Sequence, residues 1–214
     1  MASQIAKNSP YSASFTGAGM MFHETDVIVP LFMAGDPDEA LRATRADTSV
    51  FQIKAEKSRD RVAKEILKRY RALPASFWEW YFTLAEGPRR VALFYVLLKA
   101  YRLLFEFQVN LALPKYNSPD RVLTKNDVQA ALSEIASRGE FVDSWSAETR
   151  DRLSSQYLSM LRQGGLVDGA TGELCPPAIG DDDYAEYVRR GEVWFLQACF
   201  LPQYEIENIK TAAL

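Results

Sequence analysis

Apolar residues in this chain recur chiefly at spacings of three and four, the period of a helix with one buried face. In KAEKSRDRVAKEILKRYRAL (54–73), Val62, Ile66, Tyr70 and Leu73 share such a face. TKNDVQAALSEIASRG (124–139) repeats the pattern with Val128, Leu132 and Ile135; Thr124 stands as N-cap with Asp127 three residues on, and Gly139 as the stop. VDSWSAETRDRLSSQYLSMLRQGGLVD (142–168) turns Leu153, Tyr157, Met160 and Leu161 inward, starts at Ser146 with Glu148 near its positive end, and stops at Gly164 and Gly165.

RRVALFYVLLKAYRLLFEFQVNLAL (89–113) is apolar on nearly every face. Only Lys99, Arg102, Glu106 and Asn110 interrupt it, as one narrow stripe, and they leave it short of the roughly 18 to 20 apolar residues of a membrane span. A buried central helix is expected.

Between these segments, MFHETDVIVPLFMAG predicts a helix with its start or a kink near Pro30, and Asp36 followed by Pro37 marks another helix start. SFWEWYFTL after Pro74 is a short aromatic helix, and Glu86–Gly87–Pro88 a break. LPKYNSPD (113–120) reads as a linker, dividing an N-terminal helical domain (1–113) from a C-terminal one (114–214). LVDGATGELCPPAI carries a hairpin signal, and the stretch after it two short helices that turn Trp194, Phe195 and Phe200 inward. The expected fold is mainly α, with helix-turn-helix or winged-helix-like modules and at most a small β-hairpin.

The polar faces carry the functional signal. Lys57, Arg61, Lys64, Lys68 and Arg71 run down the outer side of 54–73; from Lys54 to Arg71 eight basic residues face three acidic ones, a local charge of +5 in a chain of net charge −3. On 147–163 the outward residues are Arg152, Ser155, Ser159 and Arg162, with Arg150 near the start. A solvated helix face is the plain explanation of one such stripe. Two stripes, each on a helix preceded by a short helix and the second followed by a hairpin, fit modules that lay a helix in the major groove, where Arg reaches guanine and Ser reaches phosphate. Asp168 and Glu173 flank the hairpin, so that wing is expected to face protein rather than phosphate.

The 214 residues are 48% hydrophobic and 25% charged with both signs mixed, a globular composition. Cys175 and Cys199 form no CxxC pair, and the first residues lack a secretory apolar run, so a cytoplasmic location is expected. No dinucleotide fingerprint, phosphate loop, nucleophile elbow or HExxH helix occurs. His23 beside Glu24 and Asp26 lacks a second histidine or cysteine, and Asp181–Asp183 reads as a helix start rather than a cation loop. No catalytic role, metal, cofactor or small-molecule substrate is expected.

With these motifs in order, the chain resembles the BrxA family of bacteriophage-exclusion (BREX) defence loci. The resemblance is carried by YSASFTGAGMMFHET, SRDRVAKEILKRYRAL, ALFYVLLKAYRLLFEF and WSAETRDRLSSQYLSMLRQGGLV, through most of the chain. It implies an all-helical protein with helix-turn-helix character that binds double-stranded DNA beside other BREX components, among them a methyltransferase, a phosphatase-like protein and ATPases. Family members are also described as similar to an RNA-binding antitermination protein and labelled as inner-membrane proteins; the charges within 89–113 oppose the second label. Neutralising about five phosphates would give a salt slope near −4.5. Two other readings stand beside DNA binding. In one the protein is an assembly adaptor docking on defence proteins, for which Phe77, Trp78, Trp80, Tyr81 and Phe82 would serve if exposed. In the other it binds RNA, which calls for stacking aromatics that the basic faces lack.

Overall fold

A computed structural model describes residues 9–17, 19–46, 50 and 53–213. The described residues are mainly helical, as expected from the pattern; residues 1–8 lie outside them. A single turn of 3-10 helix, Ser14–Gly17, precedes α1 (Phe22–Ala34), α2 (Pro37–Ala46), α3 (Glu56–Tyr70) and α4 (Ala75–Tyr81). Pro30 sits inside α1 on its exposed side, eight residues after the helix begins at Phe22. Asp36 caps α2, accepting from the Asp38 amide at 2.7 Å.

The middle of the chain is α5 (Glu86–Ala100) and α6 (Arg102–Phe107), continued by a π-helical turn, Gln108–Ala112, and α7 (Leu113–Tyr116). Val91 to Leu98 are all buried, because a helix apolar on every side is stable only when surrounded. Two departures from one straight cylinder appear. The backbone leaves the helix at Tyr101 (φ −131, ψ 104), and the π turn puts Gln108 inside. Tyr157 Oη donates to Gln108 Oε1 at 2.8 Å, and Gln108 Nε2 donates to the Ala198 carbonyl at 2.5 Å. The buried amide thus ties three segments and satisfies its own polar atoms.

Next come α8 (Lys125–Ser137), the one-turn α9 (Glu140–Asp143) and α10 (Ala147–Gln163). Thr124 and Asp127 form the capping box at the start of α8, and Ser146 Oγ accepts from the Thr149 amide at the start of α10. α8 packs against both α9 and α10, and α10 against α5 and the turn at Ser14–Gly17. Among the described residues the only strand-type pairing is an antiparallel bridge between Val167 and Leu174. α11 (Asp181–Arg189), α12 (Trp194–Ala198) and α13 (Gln203–Ala213) close the chain. Phe195 and Phe200 are buried and Trp194 half-buried. The last helix goes beyond the two short ones expected there. Of the aromatic group after Pro74, Phe77, Trp78 and Tyr81 are buried and Trp80 and Phe82 half-buried, so most of it is core.

Candidate nucleic-acid interface

α3 exposes the expected basic side chains because its other face is filled by Val62, Ala63, Ile66 and Leu67. Lys57, Arg61, Lys64, Lys68 and Arg71 are all exposed, but their electrostatic states differ. Lys64 pairs with Asp60 at 2.7 Å and Arg71 with Asp38 of α2 at 2.6 Å. Lys68 lies 4.0 Å from Glu65, donates to Ser14 Oγ at 3.3 Å and sits 4.3 Å above the Tyr101 ring. Partial burial there lowers its ammonium from the ordinary value, and Glu65 pulls the other way. Arg61 donates to the Gly17 carbonyl at 3.3 Å and has no carboxylate partner among the described residues; neither has Lys57. Two of the eight basic residues counted from 54 to 71 are buried. Arg59 donates to the carbonyls of Ile53 and Lys54, and Arg69 is fully buried.

On α10 the residues divide more sharply. Arg150 turns back to the carbonyls of Trp145, Val142 and Asp143, at 3.2, 3.3 and 2.9 Å, and to the Asp143 carboxylate, so it holds the preceding turn. Arg152 pairs with Glu148 at 2.6 Å, and Ser155 donates to the carbonyl of Asp151 one turn back. Ser159 accepts from Gln163 Nε2 at 2.9 Å, and Arg162 is exposed with no carboxylate partner among the described residues.

Residues 14–17 and 19–21 bring the two helices into one neighbourhood. They are bonded to α3 through Arg61 and Lys68, and Thr16, Gly17 and Gly19–Met21 help line an open polar groove of about 570 Å³ whose other charged side chains are Glu24 and Arg90 and which Gln156, Ser159 and Gln163 of α10 complete. A second groove of about 420 Å³ shares Arg90 and Gln163 with the first and includes Arg162. Ser159 and Arg162 therefore border connected surface, and Arg61 reaches its edge through Gly17. Arg90, Gln156 and Gln163 join them without having been singled out from sequence; the spacing of Gln156, Ser159 and Gln163 at i, i+3 and i+7 was the available signal. Arg90 is paired with Glu86 at 2.7 Å and lies 4.2 Å over the Phe22 ring.

The turn after α10 is negative and tight. Asp168 Oδ1 accepts from the amides of Ala170 and Thr171 and from the Thr171 hydroxyl, and these bonds hold its carboxyl below the usual value. The Leu174 amide donates to the Arg121 carbonyl at 3.0 Å, so one side of the turn is joined to protein. Among the described residues no group of three His, Cys, Asp or Glu side chains could hold a metal ion. Among the same residues no helix is long and apolar enough to cross a membrane.

Comparison with known proteins bears on this geometry directly. The BrxA family model matches residues 9–189, a span that takes in α3, the segment 14–21 and α10. The chain belongs to the BrxA family. It is 22% identical over 188 residues to the BREX protein BrxA of Bacillus cereus (strain H3081.97), covering 86% of this chain and 93% of that one. The fold matches the crystal structure of an uncharacterized protein from Magnetospirillum magneticum with a TM-score of 0.76 at 16% identity, over 89% of this chain and 98% of the other. The chain is therefore a BrxA family member of BREX phage defence, and its helical architecture is shared with a solved structure.

Proposed function

We propose that this BrxA family member is a non-catalytic, double-stranded-DNA-binding component of BREX defence. The face it uses is made of the outer sides of α3 and α10, with residues 14–17 and 19–21 packed between them. The observation that carries this reading is the convergence of cations from separate elements. Arg61 of α3 and Arg162 of α10, neither with a carboxylate partner among the described residues, border surface continuous through Arg90 and Gln163. Phosphate contacts need such unneutralised cations, and base edges are read by the Arg, Ser and Gln types that α10 presents.

In this reading α8, α9 and α10 with the Val167–Leu174 bridge act as a winged-helix-like module, α10 being the contact helix and the bridge a wing directed to protein. Lys57, Lys64, Lys68 and Arg71 extend the phosphate track along α3, and Arg152, Ser155 and Ser159 along α10. Arg150 belongs to the module's internal bonding.

A second reading, an adaptor docking on other BREX proteins, is favoured by one observation: Lys64, Arg71 and Arg152 already have carboxylate partners within 2.7 Å. Reversing charge in Arg61→Glu with Arg162→Glu separates the two. The DNA reading expects duplex binding to be lost while assembly with the other BREX proteins is kept. Retained duplex binding with lost assembly would overturn it in favour of the adaptor.

A further inference from the structure

Arg69 lies on the inner side of α3 with no exposed surface, and a buried guanidinium persists only where its donors are satisfied. Nε donates to Tyr101 Oη at 2.9 Å, Nη1 to the Met20 carbonyl at 2.8 Å and Nη2 to the Gly19 carbonyl at 2.7 Å. The Tyr101 hydroxyl donates in turn to Glu65, which also accepts from Ser14 Oγ at 2.9 Å. Both ends of the segment from Ser14 to Met20 are thereby tied to one side of α3 and its neighbour Tyr101. Phe15 is buried edge-on to the Tyr101 ring, 5.1 Å between centroids.

The other side of the segment meets α10. Gly19 has φ +62, and a Cβ there would lie 2.9 Å from Gln156 Oε1. Met21 is also left-handed, with φ 55. The segment thus fills space between the two basic helices, glycine suits the left-handed turn at position 19, Met21 adopts a conformation that its side chain disfavours, and Arg69 supplies bonds that keep the segment there.

We propose that Arg69 is a positioning residue for duplex binding. By holding Gly19 and Met20 it wedges residues 14–17 and 19–21 between α3 and α10 and locks the outer faces of the two helices into one contact surface. This rests on the reading that the face binds DNA and adds to it the coupling of the two helices. With the wedge in place a long duplex engages both helices at a fixed separation; without it each helix binds alone, and the gain from simultaneous contact is lost.

The test uses the full chain with Arg69→Met and, acting from the opposite side of the wedge, Gly19→Val. Chymotrypsin cleavage after Phe15 under native conditions reports the segment, and binding is compared on a long duplex and on one too short to span both helices. Both variants are expected to speed cleavage and to weaken long-duplex binding by about 100-fold, toward the short-duplex value, which stays unchanged. Equal weakening on the two duplexes, the mark of general structural damage, overturns the proposal. Unchanged cleavage overturns it too. If Arg69→Met does not fold, Gly19→Val decides by the same criteria. A wild-type chain that binds neither duplex overturns the DNA reading and the binding half of this proposal with it, whereas cleavage still decides whether Arg69 holds the segment.

Discussion

Two arginines on the same helix show why residue type alone does not define a contact. Arg162 belongs to the outward side of α10 by spacing and Arg150 was grouped with it from its place near the helix start, yet Arg150 donates to three backbone carbonyls and Arg162 faces solvent. Arg162→Ala is expected to lower the magnitude of the salt slope for duplex DNA by about 1 while leaving the urea midpoint unchanged. Arg150→Ala should do the reverse, moving the urea midpoint and not the slope; equal slopes for wild type and Arg162→Ala would remove that residue from the contact set. Inside the molecule, Tyr157→Phe leaves Gln108 Oε1 buried without its donor. A buried unsatisfied acceptor costs about 1–3 kcal/mol, so urea unfolding should show a loss in that range. A change under half a kcal/mol, roughly the level of a neutral surface substitution, would mean that the Gln108 hub does not hold α10 to the π turn.

At the scale of elements, the start of α8 offers a clean test. The Thr124 side chain and amide both donate to Asp127, and Thr124 Oγ1 accepts from the Asp127 amide. Burial raises the Asp127 carboxyl, but the bonds from Thr124 outweigh it and hold the group below its ordinary value. A depressed carboxylate contributes stability that is present above its unfolded pKa of about 3.9 and is lost as pH falls through the folded value. Thr124→Ala should cost about 1 kcal/mol at neutral pH and flatten the acid limb of the stability profile; an unchanged acid limb would contradict the capping account.

These caps were legible because a cap is local: Thr124, Asp127, Ser146 and Asp36 act on amides two or three residues away. The amphipathic stripes of α3, α8 and α10 were legible for the same reason. What the pattern hid depends on contacts far along the chain. The break at Tyr101 has no proline or glycine to announce it; its hydroxyl is fixed by Arg69 and Glu65, 32 and 36 residues away. Arg69 itself is one more cation in the charge count of 54–71 until Met20 and Gly19 are placed against it. α13 escaped because its apolar residues Ile206 and Ile209 are few among polar ones, and it is packing on α11 that defines it.

For the whole molecule, the distribution of charge decides more than its sum of −3. Five phosphate contacts along α3 assumed five free cations, but Lys64, Arg71 and, more distantly, Lys68 are near carboxylates that a phosphate would have to displace. Lys57, Arg61 and Arg162 have no such partner among the described residues, and three neutralised phosphates correspond to a slope of about −2.7 rather than −4.5. In the DNA reading, the negative turn at Asp168 is expected to limit how far a duplex extends past the end of α10.

The most direct measurement is therefore the affinity of the full chain for a long duplex, titrated across salt concentration beside single-stranded DNA and RNA. The account predicts preference for the duplex and a log–log slope near about −2.7. A flat profile, or tighter binding to RNA than to duplex, would contradict it.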